Sequence, residues 1–502
     1  MTSSDALPRR LLIFAIILPI AALVGFLLAD PSDVGSLSVL AAVVGTLLLP
    51  VLLAHHHLIL AVTWHASLII IFLPGQPYLW MLMTAVSLGL TALNRILDPN
   101  FRIVYIPSVT WSLVFLAGIV FLTAQMTGGV GVRSLGANVI GGKKYYLIWF
   151  AIVGYFALSA RPLKRENGGL LASLHFGSGV TAAVSTLAYV AGPAAWVLYS
   201  LFPTDYAMHL VSKDFTTDFN AIGISRYSGF SIAGMAVIPY LFIRWGARGL
   251  LDWTRPWRFA ILLLIIGVSM LGGFRSTLGL FVLLFVIQFW NEGLFHSRYF
   301  PIAAGAGLIA LVIVWVAAPS LPMSIQRSLS VIPLVPVSSV ARTDAENSTK
   351  WRRDMWKQLE PEVMTHLWMG KGYTASQTTY RLEQEAYRMG MAQDYEMMIL
   401  AGDYHSGWRS ILIPFGVWGM LAFVLFVIAA LRVLAKNSKK GEGWFRRTNQ
   451  FLLSYFIAKV VFFFLVFGAI ASDLFFFTGI LGLSVSLNQA NELKESARPV
   501  GP

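Results

Sequence analysis

The sequence predicts an all-α polytopic membrane protein with about 12–14 transmembrane helices and one large helical loop. Three observations predict it. Of the 502 residues, 57% are hydrophobic and 12% are charged, where soluble domains carry about 25% charged residues. Apolar runs approaching the roughly 20 residues that a span needs recur along the chain. One polar segment, 321–408, is long enough to fold between two such runs. A transmembrane barrel would instead show short alternating segments.

The first expected span, 11–29, follows Arg9 and Arg10. Charge followed by an apolar run is the pattern of a signal peptide, but an h-region holds only about 7–15 residues. The run is longer, so it reads as an uncleaved span. The next spans are 34–53 and 58–73, separated by His55, His56 and His57. Three adjacent histidines cannot all face one metal and no carboxylate is near, so they read as a polar loop. Then come 78–95, 105–124, 145–160 and 173–202, the last carrying Pro193, which breaks it or leaves it whole. After these come 229–244, 258–273, 276–290 and 301–318, and beyond the loop 410–432, 451–470 and 474–488. The final pair, split by Ala471, Ser472 and Asp473, is either two spans or one kinked span with a re-entrant piece. The domain division is therefore 1–320 transmembrane, 321–408 loop, 409–490 transmembrane and 491–502 tail. No repeat, heptad or low-complexity tract is evident.

The net charge is +13, yet it does not indicate nucleic acid. The loop 321–408 holds nine Lys/Arg against ten Asp/Glu, one net negative charge. The excess lies in short loops, which orient a membrane protein with their basic residues inside. Arg161, Lys164 and Arg165 fall on one side with Arg244, Arg248, Arg255 and Arg258, and with the basic run from Arg432 to Arg447. This puts both termini in the cytoplasm and the loop outside. Arg133, Lys143 and Lys144 are the exception, since they fall outside. Cysteine is absent, which excludes disulfides, thiolate nucleophiles and Cys-ligated metals.

Within the loop, 348–360 carries Trp351, Met355, Trp356 and Leu359 at helical spacing before Pro361. The stretch 376–391 carries Tyr380, Tyr387 and Met391 likewise. These stripes read as core or membrane-surface faces. Gly370-Lys371-Gly372-Tyr373 lacks the spacing of a phosphate loop and reads as a turn. No metal signature and no Asp-x-Asp motif occurs.

Three residues stand out for chemistry. His405 lies just before the span 410–432, where a helix N-terminus would keep its imidazole neutral and suited to accept a proton. Its plainer reading is an interfacial cap. Arg275 interrupts apolar sequence, and a charge so placed is either functional or snorkels to the interface. Arg226 precedes a span in Ser225-Arg226-Tyr227-Ser228-Gly229, and its plainer reading is a headgroup-level loop residue. All three are expected on the outer face. Arginine binds phosphate oxygens in pairs and keeps its charge, so two arginines with a neutral histidine suit an anionic phosphate substrate and a hydroxyl to be activated. Arg352, Arg353, Asp403 and Tyr404 are possible supporting residues. Lys459, about halfway along 451–470, is either paired structurally or functional.

Several stretches together resemble the O-antigen ligase and polymerase superfamily of polytopic glycosyltransferases. They are Arg226-Tyr227-Ser228-Gly229, Gly273-Phe274-Arg275-Ser276, Trp351-Arg352-Arg353-Asp354-Met355-Trp356 and Met369-Gly370-Lys371-Gly372-Tyr373. His405-Ser406-Gly407 leading into Ile413-Pro414-Phe415-Gly416-Val417-Trp418-Gly419 completes them. The resemblance covers about 200–435. Ser406 stands where many members have Asn, and Phe274-Arg275-Ser276 where many have Ser-Arg-Gly. The resemblance implies a GT-C-like bacterial inner-membrane enzyme with its site on the periplasmic side. The reaction it implies is cofactor-free and metal-independent transfer or polymerisation of a glycan from an undecaprenyl-diphosphate-linked donor to a glycan or lipid acceptor. Arg226 and Arg275 would hold the diphosphate and His405 would activate the acceptor. The expected surroundings are the lipid bilayer and other polysaccharide assembly proteins, and no nucleic acid. The rivals are a flippase for lipid-linked oligosaccharides, which needs ionisable residues near midplane, and a non-catalytic export scaffold, which does not need the three residues on one face.

Overall fold

The computed structural model describes residues 34–98 (72 and 74 apart), 103–129, 139–203 (196 apart), 226–389 and 394–496, with five positions between 18 and 25. Among them nine helices are long and apolar enough to cross a membrane, with two shorter apolar helices beside them. The expected span 11–29 lies for the most part outside the described residues.

The first half of the chain forms α1 (Val34–Thr63), α2 (Leu79–Leu97), α3 (Pro107–Met126) and α4 (Gly142–Ser159). It continues with α5 (Gly168–Gly177), a 3-10 turn and α6 (Ala183–Ala191). After Arg226 come α7 (Ser228–Leu250), α8 (Trp257–Met270), α9 (Arg275–Asn291) and α10 (Tyr299–Ala317). The loop supplies α11 (Met323–Leu329), α12 (Ser339–Thr365), α13 (Gln377–Arg388) and α14 (Asp394–Ala401). The C-terminal helices are α15 (Arg409–Ser438), α16 (Gly443–Leu465) and α17 (Ile470–Ser496). Small residues let these helices approach closely, as packing without water between helices requires. A Cβ on Gly154 of α4 or Gly479 of α17 would overlap the indole of Trp64, which fills the space between them. Phe423, Phe456, Phe463 and Phe477 close the core between α15, α16 and α17.

Several elements differ from expectation. His55–His57 do not form a loop: they lie inside α1, which joins the expected spans 34–53 and 58–73 up to Thr63. The reason is that both ring nitrogens of His56 and the Nε2 of His57 find partners within the bundle. His56 Nδ1 meets Ser87 Oγ at 2.9 Å, its Nε2 meets the Arg161 guanidinium at 3.1 Å, and His57 Nε2 meets Ser486 Oγ at 3.1 Å. The chain then leaves the helix, with Ile69 bridged to Tyr78. The expected span 173–202 starts earlier, at Arg165, and its continuous part ends at Ala191. Gly192, at φ 78°, and Pro193 break it there. The last two spans are separate helices whose break lies at 466–469. Asp473, expected in the break, caps the next helix by accepting from the Ala469 N–H at 2.8 Å. Finally, α12 does not stop at Pro361 but runs through it to Thr365. Leu359 and Val363, on either side of the proline, stay packed in one cluster with Met355, Tyr404 and Ile413. That packing outweighs the hydrogen bond a mid-helix proline removes.

The loop is thus helical, with a small core of its own, into which Trp351 and Trp356 also pack. Side chains of the second stripe lie partly outside the described residues, Met391 among them. Two features fix the loop to the bundle. Strand β1 (Val139–Ile140), ahead of α4, pairs antiparallel with β2 (Ala375–Ser376). The kink of α15 at Pro414 and Gly416 (φ 65°, ψ −167°) frees backbone groups, and the loop takes them. Lys371 N–H donates to Ile413 O at 2.9 Å, Gly372 N–H to Pro414 O at 3.0 Å, and Val417 N–H to Leu367 O at 2.7 Å. Gly370-Lys371-Gly372-Tyr373, expected as a turn, is irregular backbone bonded to this kink, with Gly372 at φ 69°.

Candidate functional site

The site is built from two anchored turns and the helix that spans them. Tyr227 N–H donates to Leu271 O at 3.2 Å, which ties Arg226 to the turn between α8 and α9. In that turn Gly273 takes φ 68°, and a Cβ there would come within 3.4 Å of Arg226 Cγ. Its carbonyl accepts from Arg327 of α11. Arg275 is not in the turn but opens α9, after the N-cap Phe274. From there its Nη2 donates to Thr349 Oγ1 on α12 at 3.1 Å.

Helix α12 brings the counter-charge. Asp344, buried, forms an ion pair with buried Arg327 and lies 3.6 Å from Arg226 Nη2. Arg352 lies one turn beyond Thr349 on the same helix. Among the described residues, Arg226 and Arg327 pair with Asp344, and the Arg275 and Arg352 guanidinium groups lie within electrostatic reach of Arg226. The crowding shows in Arg226, whose pKa is pushed down to about 10. Burial is the main cause, followed by the Arg327 charge. Asp344 opposes the shift, and Arg275 and Arg352 add to it. Arg352 is lowered by burial and by Arg327. Arg353, its neighbour, is exposed and contributes to none of these interactions.

His405 stands beside this cluster. It does not sit at the start of α15, which begins four residues later at Arg409. It holds a left-handed backbone at φ 49°. Its ring lies between Trp351, 5.5 Å away, and Phe467, 5.0 Å away. Nδ1 is buried and has no hydrogen-bond partner among the described residues. Its pKa is lowered to about 4, and the cause is not a helix N-terminus. Burial dominates, then the Arg352 charge, with Asp403 opposing and Lys144 adding. Arg352 is thus felt by both Arg226 and His405, and it couples the arginine cluster to the histidine.

The residues before His405 are held from two sides. Lys144 Nζ donates to Asp403 Oδ1 at 2.7 Å. Trp356 Nε1 donates to Tyr404 O at 2.9 Å. The Tyr404 ring is buried in the core of the loop domain, and its hydroxyl pKa is raised by that burial. Its support is packing. Sequence reasoning missed Arg327, Asp344, Thr349 and Lys144. The one available signal was Lys144, an exception to the basic-inside pattern. Lys459 proves to be paired: its Nζ lies 3.8 Å from Asp473 Oδ1 and 3.8 Å from the centre of the Phe476 ring.

Comparison with known proteins assigns no family. No protein-family model matches the chain, and no curated protein matches it.

Proposed function

We propose that the protein is a membrane glycosyltransferase that moves a glycan from a polyprenyl-diphosphate carrier, of the undecaprenyl type, to an acceptor hydroxyl. What supports this reading above all is the cluster that Arg226, Arg275, Arg327 and Arg352 form with Asp344 among the described residues, next to His405, whose pKa is lowered to about 4. In the reaction the acceptor oxygen bonds to the anomeric carbon as the bond from that carbon to the diphosphate oxygen breaks. The leaving diphosphate gathers negative charge, and preorganised guanidinium groups stabilise it there. Arg226 and Arg275 hold the diphosphate. Arg327 stays locked to Asp344. The acceptor proton passes to His405.

At a pKa of about 4 the resting imidazole is a weak base, because an efficient one lies near the working pH. An anion placed beside Arg352 offsets one of the charges that depress it. The donor therefore raises the basicity of the group that its own transfer needs. The carrier lipid accounts for an enzyme that is mostly membrane helix, in a GT-C-like arrangement. With the basic end of the bundle in the cytoplasm, the site faces the periplasm of a bacterial inner membrane. The acceptor is a glycan or a glycolipid.

The deciding experiment uses purified protein in nanodiscs with a synthetic polyprenyl-diphosphate glycan and a saccharide acceptor. Transfer to the acceptor with release of the polyprenyl diphosphate is expected. Movement of the intact donor between leaflets of a proteoliposome, without transfer, would replace this reading with the flippase.

A further inference from the structure

The loop domain carries an apolar patch that its own core does not use. Met364, Trp368 and Met369 are 76%, 68% and 59% exposed. They sit where α12 ends and the chain turns toward α15. Leu367, inside this patch, accepts the Val417 N–H at 2.7 Å. Trp368 O is so close to Gly416 that a Cβ there would come within 2.6 Å of it.

These contacts fix the height of the patch. Gly416 lies seven residues into α15 from Arg409, about 10 Å along the axis at 1.5 Å per residue. Trp368 is therefore level with the second turn of an apolar helix rather than with its polar start. From that level down, Trp418, Leu421 and Leu425 of α15 are 48%, 43% and 45% exposed at helical spacing. This is the stripe by which a membrane helix meets lipid. The patch is continuous with it at the Leu367–Val417 bond. Tryptophan in particular favours the depth at which apolar chains give way to headgroups.

The geometry points to a foot on the loop domain, formed by Met364, Trp368 and Met369, that inserts into the lipid leaflet on the loop's side of the membrane. Its partner is the bilayer, not a second protein. The foot and the kink hydrogen bonds together hold the domain at a set height over the bundle. The inference goes beyond the proposed chemistry and stands whether or not that chemistry is right.

The chain has no cysteine, so single cysteines can be placed in the natural sequence. Met364→Cys and Met369→Cys would each carry a nitroxide in nanodiscs of phosphatidylethanolamine and phosphatidylglycerol. Accessibility to oxygen and to a water-soluble nickel chelate is then read for each. Leu425→Cys serves as the lipid reference and Arg381→Cys, exposed on α13, as the aqueous one. Both foot positions should favour oxygen, as Leu425→Cys does. A nickel-accessible profile like that of Arg381→Cys overturns the foot. Shielding from both reagents also overturns it, since protein rather than lipid would then cover the patch. All these positions are exposed, and the two foot variants report independently if one folds poorly.

Discussion

His405 holds a backbone conformation that residues with a β-carbon adopt rarely, and its neighbours enforce it. Lys144 fixes Asp403, the Trp356 indole fixes the Tyr404 carbonyl, and the Ser410 N–H donates to Ser406 O at 2.9 Å. The ring is thereby held between Trp351 and Phe467 and close to Arg352. Three predictions belong to this scale. His405→Ala should lower turnover by roughly 10²–10⁴-fold, the contribution of a general base, with donor binding retained. The pH dependence follows from the sign of the shift. The folded pKa is depressed to about 4, so the base is present at neutral pH and is lost only as pH falls toward 4. The acid limb of kcat/KM, which reports the free enzyme, should lie there. That of kcat should lie higher, because bound diphosphate offsets Arg352. Coincident limbs would sink the coupling between donor and base. Arg275→Lys keeps the charge but loses the fork that reaches Thr349 Oγ1 and phosphate oxygens together. A drop in kcat/KM of roughly 10- to 100-fold, about 1.4–2.7 kcal/mol, is expected, with expression unchanged. Full activity in the lysine variant would remove Arg275 from the clamp.

At the scale of elements, the kink of α15 joins the loop to the membrane. Gly416 has φ 65° and ψ −167°, a region that only glycine occupies without strain. Gly416→Ala should therefore destabilise the protein by on the order of 3 kcal/mol and loosen the segment 367–372. Thermal unfolding in detergent and proteolysis within 366–376 would report this. A variant with wild-type melting and an equally resistant loop would mean that the kink does not hold the domain. The helices of the loop were legible from the spacing of Trp351, Met355, Trp356 and Leu359, because one face of each must find a core. Their ends were less so. Pro361 reads as a stop, yet the packing of Leu359 and Val363 carries the helix past it. The histidines of α1 read as a loop because hydropathy scores them as polar. The partners of His56 and His57, namely Ser87, Arg161 and Ser486, are 31, 105 and 429 residues away along the chain. The same distance problem hid Arg327 and Asp344, which are two ordinary loop charges until α11 and α12 meet.

At the scale of the whole molecule, the bundle has two chemically different ends. Arg165 stacks over Phe445 at 4.6 Å and Arg244 lies 5.8 Å from the Trp444 ring, so the segments about 165, 244 and 445 share one end. The loop, the turn at Gly273 and the break at 466–469 share the other. Lys143 and Lys144, basic residues at the loop end, are spoken for: Lys143 lies over the Tyr78 ring at 5.6 Å and Lys144 is paired with Asp403. Arg133, the third basic residue expected on that side, lies outside the described residues. Within the bundle, the Lys459–Asp473 pair separates the two rival functions. Lys459→Met alone strands a buried carboxylate and should cost about 3–5 kcal/mol. Adding Asp473→Asn should recover much of that loss, as coupled partners do, and restore transfer. A double variant that folds well but fails to deliver donor across the membrane would favour a transporter.

The asymmetry also predicts orientation. Basic short loops stay inside, so the loop domain should face outward. The cysteine-free chain allows a direct measurement. Glu346→Cys, exposed on α12, should react with a membrane-impermeant maleimide in intact spheroplasts. Lys439→Cys, after α15, should react only once the membrane is opened. The reverse pattern would invert the molecule. It would place the four arginines and His405 in the cytoplasm, where nucleotide-activated sugars are available as donors. The case for a lipid-diphosphate donor would then rest on the arginine geometry alone.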